Sequence, residues 1–206
     1  NADFYAGQGT IYFNIPGAGP HRIQPLTALP TIDLSVLLDG TTQPGSSCAT
    51  WPPTLPIEIS GASAGAAATG LRLNAGDNTI RGLVINQFGV DGIFLSQGGN
   101  TVQCNFIGTD VTGMLDLHNG QSGVFDNATS NNRIGGSTPG QGNLISGHPF
   151  EPLRIAASDN NVIQGNILGL DVNGNAQLGA SNRGILLTGS NNLVGGATAT
   201  ARNLIA

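Results

Sequence analysis

The sequence contains no lysine; all seven of its cations are arginine, and charged residues of both signs make up only 9% of its 206 positions. Intrinsic disorder requires low hydrophobicity with high charge. Here 39% of residues are apolar, so the chain is expected to fold. The net charge of −5 comes without a basic stripe, which argues against a nucleic-acid partner. No apolar run approaches the roughly 20 residues that cross a bilayer, so no membrane insertion is expected. No phosphate loop or dinucleotide fingerprint occurs. His21, His118 and His148 fall in unrelated loops, without the spacing of a zinc site or a catalytic triad. Strong helix formers are scarce and glycine is abundant (32 residues), which disfavours long helices.

What the chain does contain is a phrase stated twice. Residues 105–123 read NFIGTDVTGMLDLHNGQSG and residues 166–184 read NILGLDVNGNAQLGASNRG, 61 residues later. Each runs on to a second matching phrase, NNRIGG…GNLIS from Asn131 and NNLVGG…RNLIA from Asn191. Stacking the repeats gives two columns. The first holds the phrases starting at Gly70, Gly92, Gly123, Pro152 and Gly184, spaced 22, 31, 29 and 32 residues apart. The second starts at Asn78, Asn100, Asn132, Asn161 and Asn192, always eight or nine residues further on. Period-two apolar alternation inside each phrase predicts strands. Equivalent strands reached by a full circuit of chain must pair in parallel, and parallel crossovers are right-handed. The predicted fold is all-β: a single-stranded right-handed parallel β-helix, a solenoid with coils of about 22 residues or more and loop insertions.

Residues 1–206 are read as one domain, with irregular coils over 1–69 and regular coils over 70–206. In the first part, strands are expected at Ile11–Ile15, Leu34–Leu38 and Pro56–Ile59, punctuated by prolines. The phrase at Asn203–Ala206 continues into another coil in the preceding copy, so a longer protein with further coils is expected. An uncapped last coil would offer strand edges for end-to-end self-association. The chain begins at Asn1 rather than Met, as an exported, trimmed product would. Cys48 and Cys104 either form one disulfide tying an early loop to the repeats or are two buried thiols.

Phrases such as TIYFNIPGAG (10–19), LDGTTQPG (38–45), NTVQCNFIGTDVTG (100–113), IGGSTPGQGNLISG (134–147) and NVIQGNILGLDVNG (161–174) resemble the long repeat proteins of the bacterial right-handed parallel β-helix class, within the wider pectate-lyase-like superfamily. The likeness runs through nearly the whole chain. It implies the fold and a large exported or surface protein; other branches of the superfamily cleave or epimerise acidic polysaccharides. Cys104, where sister repeats carry Gly82 and Gly165, departs from the pattern, as does His148-Pro149. Both departures imply local changes of turn.

In the first column, Leu71, Ile93, Val124, Leu153 and Ile185 are expected to point inward. Their successors Arg72, Phe94, Phe125, Arg154 and Leu186 then point out, about 4.8 Å apart. Aromatic faces suit sugar rings and Arg suits carboxylates or sulfates. Arg72, Phe94, Phe125 and Arg154 therefore form the candidate carbohydrate-binding stripe, with the alternative that loop 111–122 or the N-terminal segment covers the rings while Arg stacks on them. Asp91 and Glu151, two coils apart, are the weaker candidates for the acid and base of an inverting hydrolase. Asp110 and Asp171 open the longest loops, where oxygen-rich turns can hold Ca²⁺, although turn closure explains them. The Asn column is expected at a left-handed corner, with its amides laddered along the axis. Asp126, in an otherwise aliphatic column, is expected to mark a local bend.

The leading expectation is a non-catalytic extracellular or cell-surface scaffold that binds polysaccharide through the stripe. The alternatives are a polysaccharide lyase or glycoside hydrolase acting on an acidic glycan, and a purely structural fibre or spacer segment. No cofactor is expected.

Overall fold

The computed structural model describes residues 2–3, 9–180 and 183–206. Ser181 and Asn182 of the second repeat phrase lie outside the described residues. The molecule is nearly all β, its short strands gathered into three parallel sheets. Sheet 1 stacks Gly9–Tyr12, Val36–Asp39, Thr79–Arg81, Thr101–Gln103, Arg133–Gly135, Val162–Gln164 and Leu193–Val194. Ala2–Asp3 joins its first strand antiparallel. Sheet 2 stacks His21–Ile23, Ile57–Ser60, Val84–Asn86, Phe106–Ile107, Leu144–Ile145, Ile167–Leu168 and Leu204–Ile205. Sheet 3 stacks Leu71–Leu73, Ile93–Leu95, Val124–Asn127, Leu153–Ala156 and Ile185–Leu187. From Leu71 onward the chain visits the three sheets in rotation, and each strand pairs with the one a circuit later. This arrangement is consistent with the parallel β-helix read from the repeats.

Inward positions meet in register. Ile80 pairs with Val102, which pairs with Ile134 and on to Ile163. Ile85, Ile107, Ile145 and Leu168 do the same in sheet 2. All eight are fully buried. β-Branched and aliphatic side chains fit a pleated surface covered on one side, and each such burial stabilises by about 1.5–3 kcal/mol.

The N-terminal strands differ from expectation in extent. They span Gly9–Tyr12, Val36–Asp39 and Ile57–Ser60, and a further strand, His21–Ile23, pairs with Ile57–Ser60. His21–Ile23 carries only one apolar residue, so alternation does not mark it.

Two side-chain ladders run along the axis. In the first, Asn78 donates from its backbone N and its Nδ2 to Asn100 Oδ1 at 3.0 and 2.9 Å. Asn100 donates likewise to Asn132 at 2.9 and 3.1 Å, and Asn161 to Asn192 at 2.9 and 3.0 Å. The left-handed residue is not the ladder Asn but the one before it: Asp77, Gly99, Asn131, Asn160 and Asn191 have φ between 56° and 79°. The corner expected on the column itself is therefore displaced by one residue, which leaves each ladder Asn free to use its amide along the axis. The second ladder joins Asn105, Asn143, Asn166 and Asn203 in the same way, with bonds of 2.9–3.2 Å.

Asp126 makes no bend. It lies inside a regular strand, fully buried. Its carboxylate accepts from Thr129 Oγ1 (2.6 Å), Ser158 Oγ (2.9 Å) and Asn132 Nδ2 (3.1 Å). The expectation failed because those partners satisfy the buried acceptor, the condition under which burial is tolerated. The first ladder registers the change. Asn132 turns its Nδ2 toward Asp126 and Thr129, and reaches Asn161 through its backbone N alone.

Cys48 and Cys104 form a disulfide across 56 residues. It fastens the segment 44–56 onto the outside of sheet 2. There Leu55, Val84, Cys104, Phe106, Leu144 and Val172 form a second apolar cluster, outside the main core. Trp51 completes it, donating Nε1 to Val172 O at 2.8 Å and meeting Phe106 edge-on at 6.1 Å. Cys104 has φ 54°, where its counterparts Gly82 and Gly165 have 75° and 70°. A non-glycine residue there is disfavoured, and the disulfide holds it in place.

Candidate functional site

The outer face of sheet 3 carries the candidate stripe. The register places Arg72 beside Phe94, Phe94 beside Phe125, Phe125 beside Arg154, and Arg154 beside Leu186. Each outward side chain is fixed by its inward neighbours: Leu71 and Leu73 flank Arg72, Ile93 and Leu95 flank Phe94, and all four are buried. Arg72 is exposed; Phe94, Phe125 and Arg154 are half-buried.

The two rings meet at 5.2 Å with an interplanar angle of 89°, an edge-to-face contact. The Arg72 guanidinium lies over the Phe94 ring at 4.3 Å, and that of Arg154 over Phe125 at 4.5 Å. The ring faces expected to stack on sugar are thus engaged by cations of the chain itself. What the stripe offers outward is two guanidinium groups oriented by aromatic rings. A planar guanidinium on a ring keeps its N–H edges available for carboxylate or sulfate. Arg154 Nε is itself buried, with no hydrogen-bond partner among the described residues, so the edge it offers outward is the Nη side.

Asp91 and Glu151 sit in register at the corner preceding this sheet, one on each side of Ser122. Asp91 is 3% exposed and accepts from Ser122 N at 3.0 Å. Burial raises its pKa, while the Ser122 N–H and the charges of Arg154 and Arg72 pull the other way without prevailing. Glu151 is 6% exposed and pairs with Arg183 Nη1 at 2.9 Å. A hydrolytic pair must reach substrate from both carboxyl groups. Here both are buried, and each is bound to its own coil neighbour.

Asp110 and Asp171 close their own turns. Asp110 Oδ1 accepts from Met114 N and Leu115 N at 3.1 and 3.0 Å, and Thr112 Oγ1 donates to the same carboxylate. Burial works to raise the Asp110 pKa, but these donors outweigh it and hold the group below its ordinary value. Asp171 Oδ1 accepts from Asn175 N at 2.8 Å. The two turns stack, with Val172 N donating to Gly113 O.

Three features escaped the sequence reading. The second Asn ladder was visible as the recurring N before the last four sheet 2 strands, in NFIG, GNLIS, NILG and RNLIA. His148 lies wholly buried, with Nε2 3.2 Å from Ile107 O and Nδ1 accepting from Asn119 N at 3.3 Å. Those contacts describe a neutral ring protonated on Nε2, and burial drives its pKa down to about 4. Trp51 left no signal, because its partners are a backbone carbonyl and a ring far away in sequence.

No family model, curated protein or solved structure matches this chain.

Proposed function

We propose that the chain is a right-handed β-helical scaffold, exported or displayed at a bacterial cell surface, that binds an acidic polysaccharide along the outer face of sheet 3 without cleaving it. The observation carrying this reading is the row Arg72–Phe94–Phe125–Arg154, two guanidinium groups held over an edge-to-face ring pair on a regular strand lattice. The guanidinium groups recognise carboxylate or sulfate groups on sugars about 14 Å apart along the glycan, three strand spacings, and ring edges between them contact the sugar backbone. Strands spaced by about 4.8 Å present these groups at intervals suited to an extended chain, so weak contacts add through avidity. The disulfide supports an oxidising, extracytoplasmic location. The likeness to pectate-lyase-like repeat proteins agrees with such a ligand class. The burial of Asp91 and Glu151 favours binding over hydrolysis.

Calorimetric titration with polygalacturonate, alginate and a neutral glucan tests the proposal. Binding of the acidic polymers is expected to weaken at least tenfold in Arg72→Gln/Arg154→Gln and to fall with added salt, while no new reducing ends or unsaturated products form. Equal affinity for the neutral glucan, an unaffected double variant, or product release would overturn it.

A further inference from the structure

A second, separate cleft lies between segment 44–56 and the outside of the last coils of sheet 2. Trp51, Pro139, Ile167 and Leu204 line it together with Thr138, Thr200 and Arg202, around a volume of about 290 Å³. That is at the lower end of ligand clefts, roughly 300–1,000 Å³, and suits one ring rather than a chain.

Its lining mixes apolar groups (Trp51, Pro139, Ile167 and Leu204) with Arg202 and two threonines, of which Thr200 spends its hydroxyl hydrogen bonds on Ser137 O and Thr198 Oγ1. Trp51 is 40% exposed yet held rigidly, by its bond to Val172 O and its edge contact with Phe106. A pre-positioned aromatic ring costs little entropy when a ligand stacks on it. Arg202 is exposed, and its guanidinium forms no ion pair with any described residue. Arg22, Arg81 and Arg183, by contrast, each meet a carboxylate. A cleft with an indole, a free guanidinium and a hydroxyl group fits a ligand that has an apolar ring face, hydroxyls on its edge and one negative charge.

We infer that this cleft binds a single anionic pyranose, a uronic acid residue. The C–H face of the sugar stacks on Trp51, its carboxylate pairs with Arg202, and a ring hydroxyl meets Thr138. The site deepens the acidic-glycan reading and rests on it for its ligand class. It lies on a different sheet from the Arg72–Arg154 stripe and engages a terminal or branch residue rather than a run of them. The Cys48–Cys104 disulfide fastens the segment that carries Trp51, so the cleft depends on that crosslink.

The chain holds one tryptophan, so its emission reports this cleft alone. The experiment titrates glucuronate, and separately glucose, against Trp51 fluorescence in the native chain, in Arg202→Gln and in Arg72→Gln/Arg154→Gln. A saturable change is expected with glucuronate, at least tenfold weaker for glucose and for Arg202→Gln, and unchanged in the stripe variant. Melting curves confirm that the exposed-residue variants are folded. No saturable change in the native chain, or wild-type affinity in Arg202→Gln, overturns the inference. If that happens while calorimetry still detects polymer binding that depends on Arg72 and Arg154, the stripe stands and only the cleft falls.

Discussion

Sheets 2 and 3 share an inner face and differ on the outside. Both turn aliphatic side chains into the same core. Outside sheet 2, Val84, Phe106 and Leu144 are covered by segment 44–56, the stacked turns at 110–116 and 171–177, and a disulfide. Outside sheet 3, the equivalent positions are Arg72, Phe94, Phe125 and Arg154, open enough to remain exposed or half-buried. In this architecture the inner residue of each strand maintains the stack, and the outer residue decides whether a face is sealed or available. An apolar outer column needs covering loops; one of Arg on Phe satisfies itself and leaves donors over.

The contrast can be broken most severely at the crosslink. Replacing both Cys48 and Cys104 by Ser opens a 56-residue loop. Chain-entropy reasoning gives a loss of about 4 kcal/mol. The expected result is a clearly lowered melting temperature and red-shifted Trp51 emission, with polymer binding at sheet 3 retained in the folded protein at low temperature. Loss of that binding would mean the two faces are coupled.

The next effect belongs to the seam between the sheets, where His148 bonds to Ile107 O of sheet 2 and packs against Gly123 beside sheet 3. Its charged neighbours act in opposite directions: His118 lowers its pKa further and Asp116 raises it. The folded pKa of about 4 lies below the ordinary 6.5, so the unfolded chain binds the proton more readily. The stabilisation is therefore complete above about pH 6.5 and declines as pH falls through the window down to about 4. The loss across that window is about 3 kcal/mol. Denaturant midpoints at pH 7, 5.5 and 4.5 should fall in the native chain, and His148→Gln, less stable at pH 7, should show a flatter decline.

The smallest effect lies on the inner face of sheet 3. Asp126→Leu restores an aliphatic column but strands the Thr129 hydroxyl, while the Ser158 hydroxyl keeps Ala156 O at 3.0 Å. A loss of about 2 kcal/mol is expected from leaving a buried donor unsatisfied. It is partly offset as Asn132 Nδ2 turns to Asn161 Oδ1 and completes the first ladder. A crystal structure of the variant would show whether that amide moves.

The strand columns and the order of the stripe were legible because both follow from period and register, which a sequence states directly. Arg72, Phe94, Phe125 and Arg154 could be placed side by side before any coordinates. Their tilt could not, since whether a guanidinium settles on a ring depends on side-chain geometry; Arg stacking was expected only together with a covering segment of chain. Asp126 was misjudged because its decisive partner, Ser158, comes from the next coil, 32 residues on. The disulfide remained open for the same reason: spacing along the chain does not reveal which loops fold back over a sheet. His148 was unreadable because its partners are backbone groups, present everywhere in the sequence and specific only in space.

The asparagine rungs have a consequence for how such a chain can change. Consecutive rungs of the first ladder are 22, 32, 29 and 31 residues apart, and those of the second 38, 23 and 37. Every step along the axis is nonetheless gauged by one Asn Oδ1 accepting from the backbone N of the rung before it. Vertical rise is decoupled from the length of chain used to achieve it, like a staircase whose landings vary while its risers do not. Insertions and deletions between rungs alter only what projects sideways, so the molecule can acquire new loops without losing count of its turns.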